Sequence, residues 1–238
     1  MYHSIIFGDK NTWADWYLIP SSRPVFNPPT PKTKFVDIPG ADGQMDLSQV
    51  LTGDIAYNTR QGSIEFIVDN GHIEWIVLYS DIMDYLHGKV LKATLEDEEE
   101  FYYEGRFSVN QWKSEPHNSK IVIDYVVNPY KLEAASSLDE DWVWDIFNFE
   151  TGIVREYRDI RVDGSLTFTI WGRRMAVIPS FIVNSDDGRG LQVKFNGITY
   201  PLPDGTSRVI NIRTVEGENT LEFIGNGTVS IDYRGGRL

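Results

Sequence analysis

Short runs that alternate apolar and polar side chains recur along this 238-residue chain, and each is closed by Gly, Pro, Asn or Asp. A period of two sends successive side chains to opposite faces of a strand, so the pattern points to sheets. In the first half it is clear over 63–68, 90–96, 101–112 and 120–127. One segment breaks it. Trp75, Leu78, Tyr79, Ile82, Met83 and Leu86 recur as the apolar stripe of a helix, which predicts a single helix at about 73–87 covering one sheet face. Asp69-Asn70 offers cap chemistry before it, and Gly88 a stop after it.

The second half reads as β throughout, with short strands at 142–149, 166–171, 180–183, 191–195, 208–212, 220–224 and 228–233. Asp163-Gly164, Asp187-Gly188, Asn196-Gly197, Asp204-Gly205, Glu216-Gly217 and Asn226-Gly227 supply turn signals between them. A turn every 8–12 residues or so is the rhythm of a β-sandwich, here of jelly-roll type. In Asp141-Trp142-Val143-Trp144-Asp145 both tryptophans fall on one face, as in a strand turned toward a core. The halves also differ in charge. Residues 1–135 hold 11 basic and 20 acidic side chains, and 136–238 hold 11 and 15, all the latter basic ones Arg except Lys194. Residues 131–140 are small and polar without alternation, the composition of a linker. The expected division is a β domain at 1–133, a linker at 134–140 and a sandwich at 141–238.

Chemistry is scarce. With no cysteine, disulfides, thiolate zinc sites and cysteine nucleophiles are excluded together. The four histidines His3, His72, His87 and His117 form no metal-ligand pattern, and neither a phosphate loop nor a nucleophile elbow occurs. No enzyme activity and no cofactor are expected. A net charge of −13 disfavours binding to phosphate backbones. Apolar runs are far shorter than the roughly 20 residues of a bilayer span, and the first residues carry no secretory pattern, so synthesis in a cytoplasm and no membrane span are expected. Glu96-Asp97-Glu98-Glu99-Glu100 reads as a solvated hairpin tip, and Asn184-Ser185-Asp186-Asp187-Gly188 as an ordinary turn. Trp171, before Gly172 at a strand end, is the candidate platform for stacking a sugar ring. Pro24, Pro28, Pro29 and Pro31 hold an extended arm between Leu18 and Phe35 that is suited to reach a neighbouring subunit, and they are the oligomer-interface candidates.

Several stretches together resemble the distal tail proteins of long-tailed bacteriophages, the baseplate hub subunits of the siphophage type. They are Asp15-Trp16-Tyr17-Leu18-Ile19-Pro20, Val36-Asp37-Ile38-Pro39-Gly40-Ala41-Asp42-Gly43, Tyr57-Asn58-Thr59-Arg60, Leu86-His87-Gly88-Lys89, Tyr102-Tyr103-Glu104-Gly105-Arg106-Phe107, Asn128-Pro129-Tyr130-Lys131, Asp141 to Asp145, and Gly217 to Leu238. The resemblance implies a mainly β protein: an N-terminal ring-forming β domain with one covering α-helix, and a C-terminal galectin-like jelly-roll β-sandwich. It implies a homohexamer at the virion tail tip, joining the tail tube to host-adsorption proteins. The implied partners are the tail tube protein, the tail-associated hub protein, the tape measure protein and receptor-binding proteins, with DNA passing through unbound. Some members carry a carbohydrate-binding module inserted in the second domain; 238 residues leave no room for one, so strong glycan binding is not expected. The rival class is a free-standing carbohydrate-binding β-sandwich, which would be a monomer.

Overall fold

The structure is a computed structural model that describes residues 3–50, 53–69, 74–113, 119–138 and 155–238. The chain separates into two units between Lys131 and Leu132. The first begins with β1 (Ile5–Phe7), β2 (Lys10–Asn11) and β3 (Leu18–Pro20), followed by the hairpin strands β4 (Phe35–Asp37) and β5 (Gln44–Asp46). After β6 (Arg60–Val68) come α1 (Trp75–Leu86), β7 (Val90–Leu95), β8 (Phe101–Lys113) and β9 (Lys120–Val127). The pairings are antiparallel in the order β2-β1-β7-β8-β9-β6-β3, with β4 and β5 paired only to each other.

The strands predicted at 63–68, 90–96, 101–112 and 120–127 are all present, and their inward residues Phe66, Ala93, Phe107, Ile121 and Ile123 form one core. Leu78, Ile82 and Leu86 of α1 are buried in that core, with Trp75, Tyr79 and Met83 packed at its margin, so the helical stripe does cover a sheet face. Its start differs from the expectation. The N-cap is Glu74, without a side-chain cap bond, while Asp69 lies upstream and Asn70 outside the described residues. Packing rather than capping therefore holds this end. Gly88, at φ +75°, stops the helix and donates its N–H to the Phe107 carbonyl at 2.8 Å.

The division falls within β10 (Lys131–Glu133), and the second unit goes on to β11 (Ile160–Gly172), β12 (Ser180–Ser185), β13 (Leu191–Phe195), β14 (Ile198–Leu202), β15 (Gly205–Arg208), β16 (Gly217–Asp232) and β17 (Gly236–Arg237). Two turn signals are overturned here. Asp163-Gly164 and Asn226-Gly227 do not reverse the chain; they lie opposite one another inside the continuous β11–β16 ladder, where Asp163 pairs with Asn226 and Gly164 with Gly225. The strands read at 220–224 and 228–233 are thus one. Beyond β11, the other edge of β16 changes partner at these glycines: residues 222–224 pair with β13 and residues 227–232 with β12. A strand that bends and switches neighbours folds its sheet over on itself, the way sandwich corners are made. Leu221, Phe223, Val229 and Ile231, from both sides of the bend, share one core, and Phe181 meets Phe223 edge to face at 6.1 Å. Asn196-Gly197 does make the expected hairpin, with φ positive at both residues. The strand expected at 208–212 lies instead at Gly205–Arg208. The 142–149 expectation, with Trp142 and Trp144, falls outside the described residues.

Gly227 is required at the bend. Its φ is +155°, and a Cβ there would sit 2.5 Å from the Asn184 carbonyl oxygen. Gly227→Ala should cost about 2–3 kcal/mol, combining strain and a backbone clash. Hydrogen exchange should show faster opening across the second unit and unchanged protection in β6, β8 and β9. Gly164→Ala, where nothing lies within 4 Å, should cost less.

Candidate functional site

Between β3 and β6 the first unit sends out an arm whose root is pinned and whose far part buries nothing. Ser21 donates its N–H to the Glu65 carbonyl at 2.9 Å, and the chain then dips inward. Phe26 is buried with its ring centroid 4.1 Å from that of Tyr103 and 4.7 Å from that of Tyr125. Asn27 receives the root. Its N–H donates to the Tyr125 hydroxyl at 2.8 Å, and its amide nitrogen donates to the Gln61 carbonyl at 2.8 Å. The returning chain is held by Arg60, a buried guanidinium that donates to the carbonyls of Pro129 at 2.9 Å and Asn27 at 3.1 Å and lies 5.4 Å from the Tyr103 ring centre. Burial lowers the Arg60 pKa.

Beyond this footing, backbone bonds from Lys32 to Ala56, Asn58 to Thr30 and Leu47 to Lys34 zip the arm, with side-chain bonds from the Lys34 N–H to the Ser48 hydroxyl at 2.8 Å and from the Asn58 amide to the Thr30 hydroxyl at 3.1 Å. At its tip β4 and β5 pair Phe35 with Asp46 and Val36 with Met45, around a turn in which Gly40 and Gly43 take positive φ. Phe35 is 51% exposed and Met45 50%, and Val36, Ile38 and Val50 are exposed as well. An isolated two-stranded hairpin is marginal in water, and its free edges invite pairing with another chain.

The proline candidates divide. Pro28 and Pro31 are exposed and Pro29 half-buried, on the arm, and Pro31 bridges to Tyr57. Pro24 is instead buried beside Phe26 at the root, so it is a packing residue of its own unit and not a surface for a neighbour. The acidic run is also corrected. Glu96 accepts from the Ser4 N–H at 2.7 Å, Asp97 from Arg23 at 2.8 Å and from His3 at 2.9 Å, and Glu98 pairs with Lys131. Three separate segments are tied to a turn that sequence alone reads as solvated. The hydrogen bond from His3, with help from Arg23, holds the Asp97 carboxyl below its ordinary value.

The part of the expected 134–140 linker that is described packs on the second unit. Ser137 is buried, its hydroxyl donating to the Ile231 carbonyl at 2.8 Å, and Leu138 lies against the second core. Glu133 anchors this entry. Its carboxylate accepts from both terminal nitrogens of Arg155, at 2.7 and 3.1 Å, from Arg173 Nε at 2.8 Å and from the Gly235 N–H at 2.8 Å. Burial pushes this carboxyl up, but the two guanidinium groups outweigh it and hold it below its ordinary value. Arg155 in turn lies 5.0 Å from the ring centre of Tyr233. The Tyr233 hydroxyl donates to the Trp171 carbonyl at 2.5 Å, and the Trp171 N–H donates to the Tyr157 hydroxyl at 3.0 Å. Trp171 itself is 44% exposed. No group of His, Asp and Glu able to hold a metal ion occurs among the described residues.

No protein-family model and no curated protein matches the sequence. Among solved structures, the chain is similar to the SPP1 Dit (gp 19.1) protein, described as a paradigm of the hub adsorption apparatus in phages that infect Gram-positive bacteria. The likeness covers 100% of both chains, with a TM-score of 0.60 and 10% sequence identity. From end to end, the chain has the mainly β fold of this hub protein, as the resemblance implied.

The Glu133 cluster predicts an acid-sensitive second unit. A carboxyl whose pKa is depressed by folding stabilises the fold above its unfolded value, here near 4.5, and loses that contribution as pH falls through the folded value. Glu133→Gln leaves two buried guanidinium groups facing a neutral amide and should cost about 3–5 kcal/mol at neutral pH. Urea unfolding followed below pH 5 should show the wild type converging on the variant; parallel curves would contradict this role.

Proposed function

We propose that this protein is a structural baseplate hub subunit of a long-tailed phage, located at the virion tail tip. The observation that carries the reading is the end-to-end correspondence in fold with the SPP1 hub protein. Copies form a hexameric ring that joins the tail tube to the tail-tip and host-adsorption proteins. Its neighbours are the tail tube protein, the tail-associated hub protein, the tape measure protein and receptor-binding proteins.

The physical case for a ring rests on the arm. Apolar side chains on a hairpin with no core of its own are best satisfied by a surface of the next copy, and a head-to-tail contact of this kind closes when its rotation divides a full turn. The exposed Pro28 and Pro31 and the half-buried Pro29 stiffen the reach. The acidic excess of residues 1–135, 20 acidic against 11 basic side chains, suits a lumen that repels DNA phosphates and lets the genome pass without binding. A free-standing carbohydrate-binding module would have no use for such an arm. Among the described residues, no helix is long and apolar enough to cross a membrane.

Light scattering over a concentration series tests the arm directly. The full chain should run at six times its monomer mass, and the double variant Phe35→Ser, Met45→Ser should dissociate at concentrations at least about tenfold higher, since each exchange removes about 1–2 kcal/mol of apolar burial. Its circular dichroism should match the wild type. A full chain that stays monomeric at high concentration, with or without a tail tube protein, would sink the hub reading.

A further inference from the structure

We propose that the outer face of the β11, β16 and β13 sheet in the second unit binds a neutral oligosaccharide, with the Trp171 indole as its stacking platform. The register places the participants. Trp171 is opposite Glu218, Thr169 opposite Thr220 and Thr167 opposite Glu222, and Glu222 is in turn opposite Lys194. Because side chains alternate, all of these project from one face, and Thr167, Thr169, Trp171, Glu218 and Thr220 are exposed. Glu222 and Lys194 neutralise each other in an ion pair at 2.9 Å.

The chemistry of the face selects a sugar. It has one indole and then hydroxyls and a carboxylate, not the contiguous apolar row that the centre of a protein interface needs. The ladder consumes the backbone groups, so recognition falls to side chains. An indole covers the apolar C–H face of a pyranose. Threonine hydroxyls both donate and accept, and the Glu218 carboxylate accepts from two neighbouring sugar hydroxyls, the charge-assisted kind of bond. Opposite strand residues stand about 5 Å apart and same-face neighbours along a strand about 7 Å, distances that a single hexose spans. With Glu218 beside the indole, an anionic saccharide is repelled, which sets the class as neutral.

The platform is also held in advance. The Trp171 backbone is fixed on one side by the Tyr157 hydroxyl and on the other by the Tyr233 hydroxyl, and both tyrosines are buried. Burial raises the Tyr233 pKa, so its phenol remains a donor. Arg155 braces Tyr233, and Glu133 braces Arg155. The strand that carries the indole therefore need not reorder when a ring docks. A shallow face of this kind binds weakly per copy, which agrees with the expectation of no strong binding; several copies on one particle would multiply it through avidity.

The test uses the full chain. A glycan array of neutral oligosaccharides is followed by saturation-transfer NMR and titration with cellotetraose, N-acetyl-chitotetraose and maltotetraose. At least one should bind once per chain with a Kd near about 1 mM, weakening at least about tenfold in Trp171→Ala and severalfold in Glu218→Gln. Trp112→Ala, an exposed tryptophan of the first unit, should leave it unchanged. The Phe35→Ser, Met45→Ser variant should keep the same affinity per chain, so failure of ring assembly is read apart from failure of this site. No binding across the array, binding unaffected in Trp171→Ala, or equal binding of tetragalacturonate would overturn the proposal.

Discussion

A hairpin that buries nothing has to be held from its base, and in this protein the base is Arg60. The guanidinium reaches both the outgoing chain at Asn27 and the carbonyl of Pro129 near the end of the unit, while its face lies over Tyr103. Phe26 seals the same spot from the other side against Tyr103 and Tyr125. The Arg60 side chain is buried there, and its bonds hold the arm where it leaves the sheet. Everything beyond the root depends on this footing, since the described residues from Asn27 to Thr59 add no side chain to the core.

The second unit solves a different problem, that of making a folded sheet from long strands. One ladder, β11 with β16, runs the whole length, and a glycine-rich point within it lets the other edge of β16 change partner. The same unit ties its entry to its exit. Glu133 bonds the Gly235 backbone, and Ser137 donates to the Ile231 carbonyl and accepts from the Tyr233 N–H just past the end of β16. Buried ion clusters rarely add net stability over an apolar equivalent, but breaking one is costly. Here the cluster fixes which segments lie together, and through Arg155 and Tyr233 it sets the backbone of Trp171.

Much of this was legible in the sequence because periodicity reports burial. The strands of the first unit and the stripe of α1 were readable since each buries one face, and Leu78, Ile82 and Leu86 could only serve a sheet. What stayed hidden depends on distant partners. Asn226-Gly227 has the composition of a turn, and only its pairing with Asp163 and Val162, some 60 residues away, makes it a bend. The acidic run looked solvated because Ser4, Arg23 and Lys131 are remote in sequence. Pro24 read as arm because proline is usually exposed, and its burial at the root has no local signature. Of the residues singled out in the sequence, Pro28, Pro31 and Trp171 are exposed and Pro29 half-buried, whereas Arg60, Glu133 and Tyr233 carry no motif that marks them.

The central claim is that the arm completes a neighbour. Electron microscopy of the purified full chain in negative stain tests it most directly. The account predicts rings of six subunits around an open channel, with density for each arm lying across the adjacent subunit. Isolated particles of single-chain mass, or rings whose arms project free into solvent, would contradict it.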